Sequence, residues 1–283
     1  MQIHCKYAKI PTIPIDYLRI CGIIKLYDYA PTTILEECIM DKGTAEERVK
    51  AEPIPFRNAR QKLEELHKSE EYRNNCQRFQ AECDRLAAIA QSLLERKDQI
   101  KEACEANTVR REFASQSRYL HRGFYCPSPV LDRIIRSAKR GRILKRITSA
   151  SKPTHEYGFD ASGRLLWCTS FDRGSVLSTE YLIYDECAVY GITFNAYGIE
   201  AITEEVYEDG KLVRYIHCLY TSFDNTVECM QLECEHYSYE ENHLCGCQWH
   251  RLSIPQKEIP DFLKEFASVL PRLPVYQKES YTF

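Results

Sequence analysis

The sequence predicts an α+β protein: a helical N-terminal part with a long heptad helix, then an antiparallel β-meander of about eight strands packed by a C-terminal amphipathic helix. Three observations carry that prediction. Apolar side chains recur in steps of three and four through residues 72–104, short β-type runs divided by turn signals fill residues 155–252, and the charge changes sign near residue 150. Residues 1–150 hold 28 Lys+Arg against 20 Asp+Glu, whereas residues 151–283 hold 10 against 21. Two domains follow from this: 1–150, basic and mainly helical, and 151–283, an acidic antiparallel meander with its C-terminal helix.

A chain of 283 residues, 44% hydrophobic, with a net charge of −3, is apolar enough and balanced enough to fold. It has no apolar run of the roughly 18–20 residues a membrane helix needs, and its start lacks the basic-then-apolar layout of a signal peptide. The expectation is a cytoplasmic protein without a membrane partner. The 14 cysteines are scattered rather than framed as a disulfide scaffold, so they are read as free thiols serving as small apolar side chains.

In chain order, Pro11, Pro14, Pro31, Pro53 and Pro55 break any long element in the first 55 residues, where Ile20–Tyr27 has the composition of a short strand. The heptad seam then runs through Tyr72, Cys76, Phe79, Cys83, Leu86, Ala90, Leu93, Ile100 and Cys104, interrupted at Lys97, with Glu, Lys, Arg and Gln on the outer face. Such a stripe packs on the protein's own core or serves self-association through the 72–104 helix. Asn107-Thr108 marks a stop, followed by a shorter helix over about 109–121. Ser128-Pro129 opens a further helix that ends at Gly141. That helix begins a cluster of seven cations without an acid: Arg133, Arg136, Lys139, Arg140, Arg142, Lys145 and Arg146. The cluster either docks internally on the acidic half or meets nucleic-acid phosphates.

The second half is punctuated by Asp160-Ala-Ser-Gly163, Asp172-Arg-Gly174, Asp185-Glu186, Asn195-Ala-Tyr-Gly198, Asp209-Gly210, Asp224-Asn225 and Glu241-Asn242. Asp209-Gly210 is the clearest hairpin, because both residues tolerate the positive φ of a type I′ turn. A two-residue turn there sets Glu208 against Lys211, Tyr207 against Leu212, Val206 against Val213 and Glu205 against Arg214. After Ile254-Pro255, the residues Ile259, Phe262, Leu263, Phe266, Val269 and Leu270 recur at helical spacing, giving the amphipathic helix over 257–270.

The segments Glu156-Tyr-Gly-Phe-Asp-Ala-Ser-Gly-Arg-Leu-Leu166, Glu205-Val-Tyr-Glu-Asp-Gly-Lys-Leu-Val213 and His236-Tyr-Ser-Tyr-Glu-Glu-Asn-His-Leu244 share an aromatic, an acidic turn and a polar-then-leucine restart. In this, residues 155–252 resemble YD-type (RHS-like) repeats and the related MORN-variant repeats of some toxin–immunity and antitoxin proteins. Tyr184-Asp-Glu-Cys187 and Phe223-Asp-Asn-Thr226 lack the usual glycine and leucine, and residues 1–150 have no counterpart. The resemblance implies a repetitive β-sheet.

No phosphate-cradling glycine loop, zincin motif or serine nucleophile elbow is present, which lowers the expectation of an enzyme. No cofactor is expected. Cys234, His236, Cys245 and Cys247 are the weak metal candidates, since thiolate and imidazole suit zinc but no second ligand pair completes a familiar site. Ten tyrosines lie between His155 and Leu252, and tyrosine anchors interfaces at little entropic cost. The expected function is therefore protein binding by an immunity- or antitoxin-like neutraliser of a toxin. Its partner-binding residues are Tyr207, Tyr215, Tyr220, Tyr237, Tyr239, Glu204 and Glu208, which together block a basic surface. The alternative is a nucleic-acid-associated protein using the 133–146 cluster, and an unrecognised hydrolase or transferase comes third.

Overall fold

The structure, a computed structural model, describes residues 61–148, 151–223, 226–255 and 273–283. The strand expected over 20–27 and the helix expected over 257–270 lie outside them. The chain divides into two units, and the second, Glu70–Gln256 with Pro274–Phe283, holds every element considered below. Among the described residues no helix is long and apolar enough to cross a membrane.

In this unit two helices come first, α1 (Glu70–Leu94) and α2 (Lys97–Ala106). The strands are β1 (Arg110–Ser115), β2 (Arg142–Ile143), β3 (His155–Phe159), β4 (Leu165–Asp172), β5 (Ser175–Tyr184), β6 (Ala188–Asn195), β7 (Gly198–Glu208), β8 (Lys211–Phe223), β9 (Thr226–Glu240), β10 (His243–Ser253) and β11 (Val275–Thr282). Between β1 and β2 lies a single turn of helix, α3 (Leu131–Ile134). All 11 strands form one antiparallel sheet in the order β11-β10-β9-β8-β7-β6-β5-β4-β3-β1-β2.

This corrects the expected fold class. Instead of a helical part followed by an eight-stranded meander, one 11-stranded sheet runs from the nominally helical half to the last described strand. Arg110–Ser115, expected as helix, becomes a strand because its backbone completes the open edge of β3, pairing Arg110 with Phe159 through Ala114 with His155. The tail continues the sheet as β11, pairing Ser253 with Val275 through Gly246 with Thr282. The helix expected from Ser128 to Gly141 stops after one turn. Ser128 Oγ does accept the Leu131 amide at 3.1 Å, but Ile135 turns extended at φ −95°, ψ 98°.

The continuous heptad helix through 72–104 is also corrected. The chain breaks at Glu95–Arg96, where Arg96 has φ −106°, ψ 10°, and α2 starts with Lys97, whose ammonium lies 4.6 Å from the centre of the Phe194 ring. The apolar stripe lies on the protein's own sheet: Phe79 stacks on Tyr276 at 5.6 Å and meets the tilted His250 ring at 5.0 Å, and Trp167 donates to Thr108 just past α2 at 2.9 Å. Arg85 makes a two-pronged bridge to the buried Glu204 of β7, 2.9 Å on each oxygen.

Turn chemistry shapes the meander. Arg173-Gly174 and Asp209-Gly210 hold positive φ at both positions, 50° and 89°, then 50° and 73°. The expected pairs Glu208–Lys211 and Tyr207–Leu212 form, but a bulge then opposes Val206 to Arg214 and Glu205 to Tyr215. Similar irregularities interrupt the β3–β4, β4–β5, β6–β7, β8–β9 and β9–β10 pairs. A bulge bends its strand and increases the twist, so a long open sheet built this way is curved rather than flat.

Candidate binding site on the strap between β1 and β2

Strand alternation gives the sheet two faces. One carries Ile202, Glu204, Ile216, Cys218 and Leu232 and meets α1. The other carries Glu180, Thr203, Glu205, Tyr215, His217 and Glu235, and residues 116–141 cross it as a strap before returning to β2. The strap's backbone is unusual. Gln116, Tyr119 and Arg122 have φ of 63°, 56° and 57°, although none is glycine, and Gly123 and Gly141 are also positive. Left-handed geometry costs about 1 kcal/mol or more per non-glycine residue and persists only where the surroundings enforce it.

Arg122 supplies the enforcement. Its buried guanidinium donates to Glu180 through Nε at 2.8 Å and Nη2 at 3.0 Å, to Thr203 Oγ1 at 3.0 Å, and to Glu205. Its carbonyl accepts the Tyr157 hydroxyl at 2.9 Å. These partners come from β5, β7 and β3, and the intervening β6 offers Gly191, where a Cβ would overlap Glu180, Thr203 and Arg122 together. Glycine is required there because a charged plane lies directly on the sheet. Burial alone would raise the Glu180 carboxyl, yet Arg122 and then His121 outweigh it and hold the group well below the usual carboxylate range.

His121 packs beside this pair. Its Nδ1 lies 2.8 Å from the Tyr215 hydroxyl, its Nε2 lies 3.0 Å from Glu180, and its ring stacks on His217 at 4.7 Å. Burial, with His121 nearby disfavouring a second positive charge, lowers His155 to about 4 and His217 to about 3. With Nδ1 against the Tyr215 hydroxyl and Nε2 against Glu180, the ring packs the strap onto the sheet.

The far end is fixed apart from this cluster. Ser128 Oγ donates to Glu235 at 2.7 Å, Tyr237 donates to the same oxygen at 2.6 Å, and Val130 plugs a cluster of Leu212, Tyr215, Tyr237 and Cys247. Burial raises Glu235 to about 7 despite these donors. Arg118 and Lys139 exchange backbone hydrogen bonds of 2.8 and 2.9 Å, so the two limbs of the strap are tied across its neck.

With the inner face committed, the exposed side chains of the strap and of the residues just after it are mostly basic. Arg133, Arg136, Lys139, Arg142, Lys145 and Arg146 are exposed, joined by Arg118 and by Tyr119, which is 63% exposed. Residues 116–148 contain nine Lys+Arg and a single acid, Asp132. Arg140 already holds that acid at 3.1 Å, while donating to the carbonyls of Cys126 and Ser128. A cleft of about 400 Å³ lies among Gln116, Asp132, Ala138, Lys139, Arg140, Gly141 and Arg142. Of the seven cluster residues, then, Arg140 is structural, Arg133 leans toward the Phe283 ring at 5.7 Å, and the rest face outward.

The residues expected to form an aromatic, acidic surface are distributed differently. Tyr215, Tyr220, Tyr237 and Glu204 are buried, on both faces of the sheet. Tyr239 is half-buried and donates to the Leu212 carbonyl at 2.9 Å. Only Tyr207 and Glu208 are exposed, and Tyr207 donates to Glu205 at 2.7 Å. The four metal candidates do not converge. Cys234 and His236 touch at 3.3 Å, Cys247 faces the strap, and Cys245 donates to the Ser238 carbonyl at 3.2 Å. Sequence reasoning missed His121, Arg122, Glu180 and Glu205. The available signal was Glu204-Glu205 inside an apolar run, since adjacent strand residues face opposite ways and each buried carboxylate demands its own cation.

Comparison with protein-family models, with curated proteins and with solved structures finds no match.

Proposed function

We propose that this protein binds nucleic acid through the outer face of the strap. The observation that carries the reading is the split of charges over this stretch: Arg122 and Arg140 are spent on internal acids, whereas Arg118, Arg136 and Lys139 are exposed on the pinned strap and Arg142, Lys145 and Arg146 are exposed in β2 and just beyond it. Neutralising phosphates with such cations releases counterions and dominates affinity, and exposed Tyr119 offers an unpaired base a stacking face. Pinning also matters, because side chains on a pre-ordered segment lose less freedom on binding.

The test is fluorescence anisotropy with single-stranded and duplex oligonucleotides across a salt series. Affinity should fall linearly in log–log form. A Lys139→Gln, Arg142→Gln, Lys145→Gln, Arg146→Gln variant should bind tenfold or more weakly, with the slope reduced by about 0.7–0.9 for each phosphate contact removed. Salt-independent binding, or a variant that binds as the parent does, overturns the reading. The neutraliser reading retains Tyr207 and Glu208 beside the Asp209-Gly210 tip as exposed anchors. A protein partner lost on Tyr207→Ala but indifferent to the strap variant would favour it instead.

A further inference from the structure

On the sheet face opposite the strap, three thiols from three elements converge under α1. Cys83 comes from α1, Cys218 from β8 and Cys229 from β9; the Cys229 sulfur lies 3.1 Å from that of Cys83 and 3.2 Å from that of Cys218, and all three sulfurs fall within 4.8 Å of one another. The strand sulfurs meet because the bulge at Leu219/Tyr220 shifts the register, so that Cys229 opposes Tyr220 while Cys218 opposes Leu232. Cys83 and Cys218 are fully buried and Cys229 is half-buried. The buried Tyr220 hydroxyl lies beside the Cys218 sulfur.

We infer that Cys83, Cys218 and Cys229 form a binding site for one thiophilic d¹⁰ metal ion, zinc(II) or copper(I). Soft thiolate sets select these ions over magnesium, calcium or manganese, which prefer oxygen. A metal–sulfur bond of about 2.3 Å in tetrahedral geometry places sulfurs roughly 3.8 Å apart, so the trio needs only a small outward adjustment of its side chains. Copper(I) is satisfied by three thiolates. Zinc takes a fourth ligand, for which the Tyr220 oxygen or a water is at hand. Each thiol loses its proton to solvent on binding, so affinity falls at low pH.

The trio draws its three sulfurs from separate elements, so the ligand atoms are already gathered before any ion enters. Its consequence is mechanical as well as chemical: one ion would tie α1 to two adjacent strands. The site shares no residue with the strap, so it stands or falls independently of nucleic-acid binding.

The experiment uses the full chain, reduced and handled without oxygen. It is offered zinc(II) or copper(I) separately, dialysed, and measured for metal content and for the metal-induced shift in Tm. About one equivalent of at least one ion is expected to be retained, with a raised Tm, and which ion it is separates the two sources. Cys83→Ser and Cys229→Ser should each lose that retention, whereas Cys187→Ser and Cys245→Ser should keep it. Because a substitution under α1 can impair folding, cobalt(II) bound to the unmutated protein gives an independent reading: thiolate-to-metal charge-transfer absorption of three-sulfur intensity is expected. No retention of either ion, equal retention in a Cys83→Ser, Cys218→Ser, Cys229→Ser triple variant, or a cobalt spectrum without sulfur bands overturns the proposal.

Discussion

Glu235 and the two buried histidines show how single residues on the strap face set the pH response. Glu235 holds its proton to about 7 in the fold but gives it up near 4.5 when unfolded, since burial outweighs the Tyr237 and Ser128 donors and Glu233 adds like charge. The folded state therefore binds the extra proton. Glu235's favourable contribution is complete below pH 4.5 and is lost as pH rises through 7, a swing of about 3 kcal/mol. His155 and His217, lowered to about 4 and about 3, act in the opposite sense: they favour the fold above their ordinary 6.5 and lose that contribution as pH falls. The Glu235→Gln variant isolates the first group, because the amide oxygen still accepts from Ser128 and Tyr237. Its stability advantage over the parent, from urea melts, should grow from near zero at pH 4.5 to about 3 kcal/mol at pH 8. A constant difference across that range would show that Glu235 is ionised at its ordinary pKa.

Arg122 is the residue whose loss should cost most. Arg122→Met leaves Glu180 and Glu205 buried without a cation, which costs about 3–5 kcal/mol. Arg122→Lys should recover little of that, because one ammonium cannot replace a planar fork reaching two carboxylates and a hydroxyl. Unfolding free energies of the two variants within about 1 kcal/mol of each other, both far below the parent, are the expected pattern.

At the scale of elements, two glycines separate strain from collision. Gly210 sits at φ 73° in the β7–β8 turn with open space around it, so Gly210→Ala should lose only about 1 kcal/mol of backbone strain. Gly191 has ordinary φ but lies beneath Arg122, so Gly191→Ala must push the guanidinium off its partners and should approach the loss of Arg122→Met. Equal losses at the two positions would mean that the Arg122 cluster yields easily.

These elements also mark how far the sequence was legible. Turn residues were readable because their chemistry is local: Asp209-Gly210 needs positive φ whatever surrounds it, and Asp160 accepts the Ser162 and Arg164 amides within its own loop. The stripe from Tyr72 to Leu93 was readable because burial on one face imposes a 3.6-residue period. Non-local pairing was hidden. Arg110–Ser115 becomes a strand only because β3 lies beside it 43 residues later in sequence, with Glu156 opposite Phe113. Val275–Thr282 had no turn signal to announce it. The Arg122 cluster was least legible, since Arg122, Glu180 and Glu205 are each unremarkable until the sheet brings them together.

For the whole molecule, stability should be graded along the sheet rather than uniform. Strands β7, β8 and β9 are covered on one face by α1, through Arg85–Glu204 and Cys83–Cys229, and on the other by the strap, through Arg122–Glu205 and Ser128–Glu235. The β4–β5 tip carries exposed Val176 and Leu177 instead. Amide exchange follows the free energy of local opening, so amides of 202–205, 214–218 and 232–236 should exchange slowest and those of 172–177 fastest. Arg122→Met separates the two coverings. If Arg122 is what holds the strap down, exchange in 116–126 should accelerate sharply, while α1 keeps its protection because its contacts lie on the other face. On the proposed nucleic-acid reading, the salt slope of the same variant should shrink, since Arg118, Arg136 and Lys139 would then sit on a loosened segment. Uniform acceleration through strap, sheet and α1 would instead mean that the unit opens only as a whole, and that Arg122 serves global stability alone.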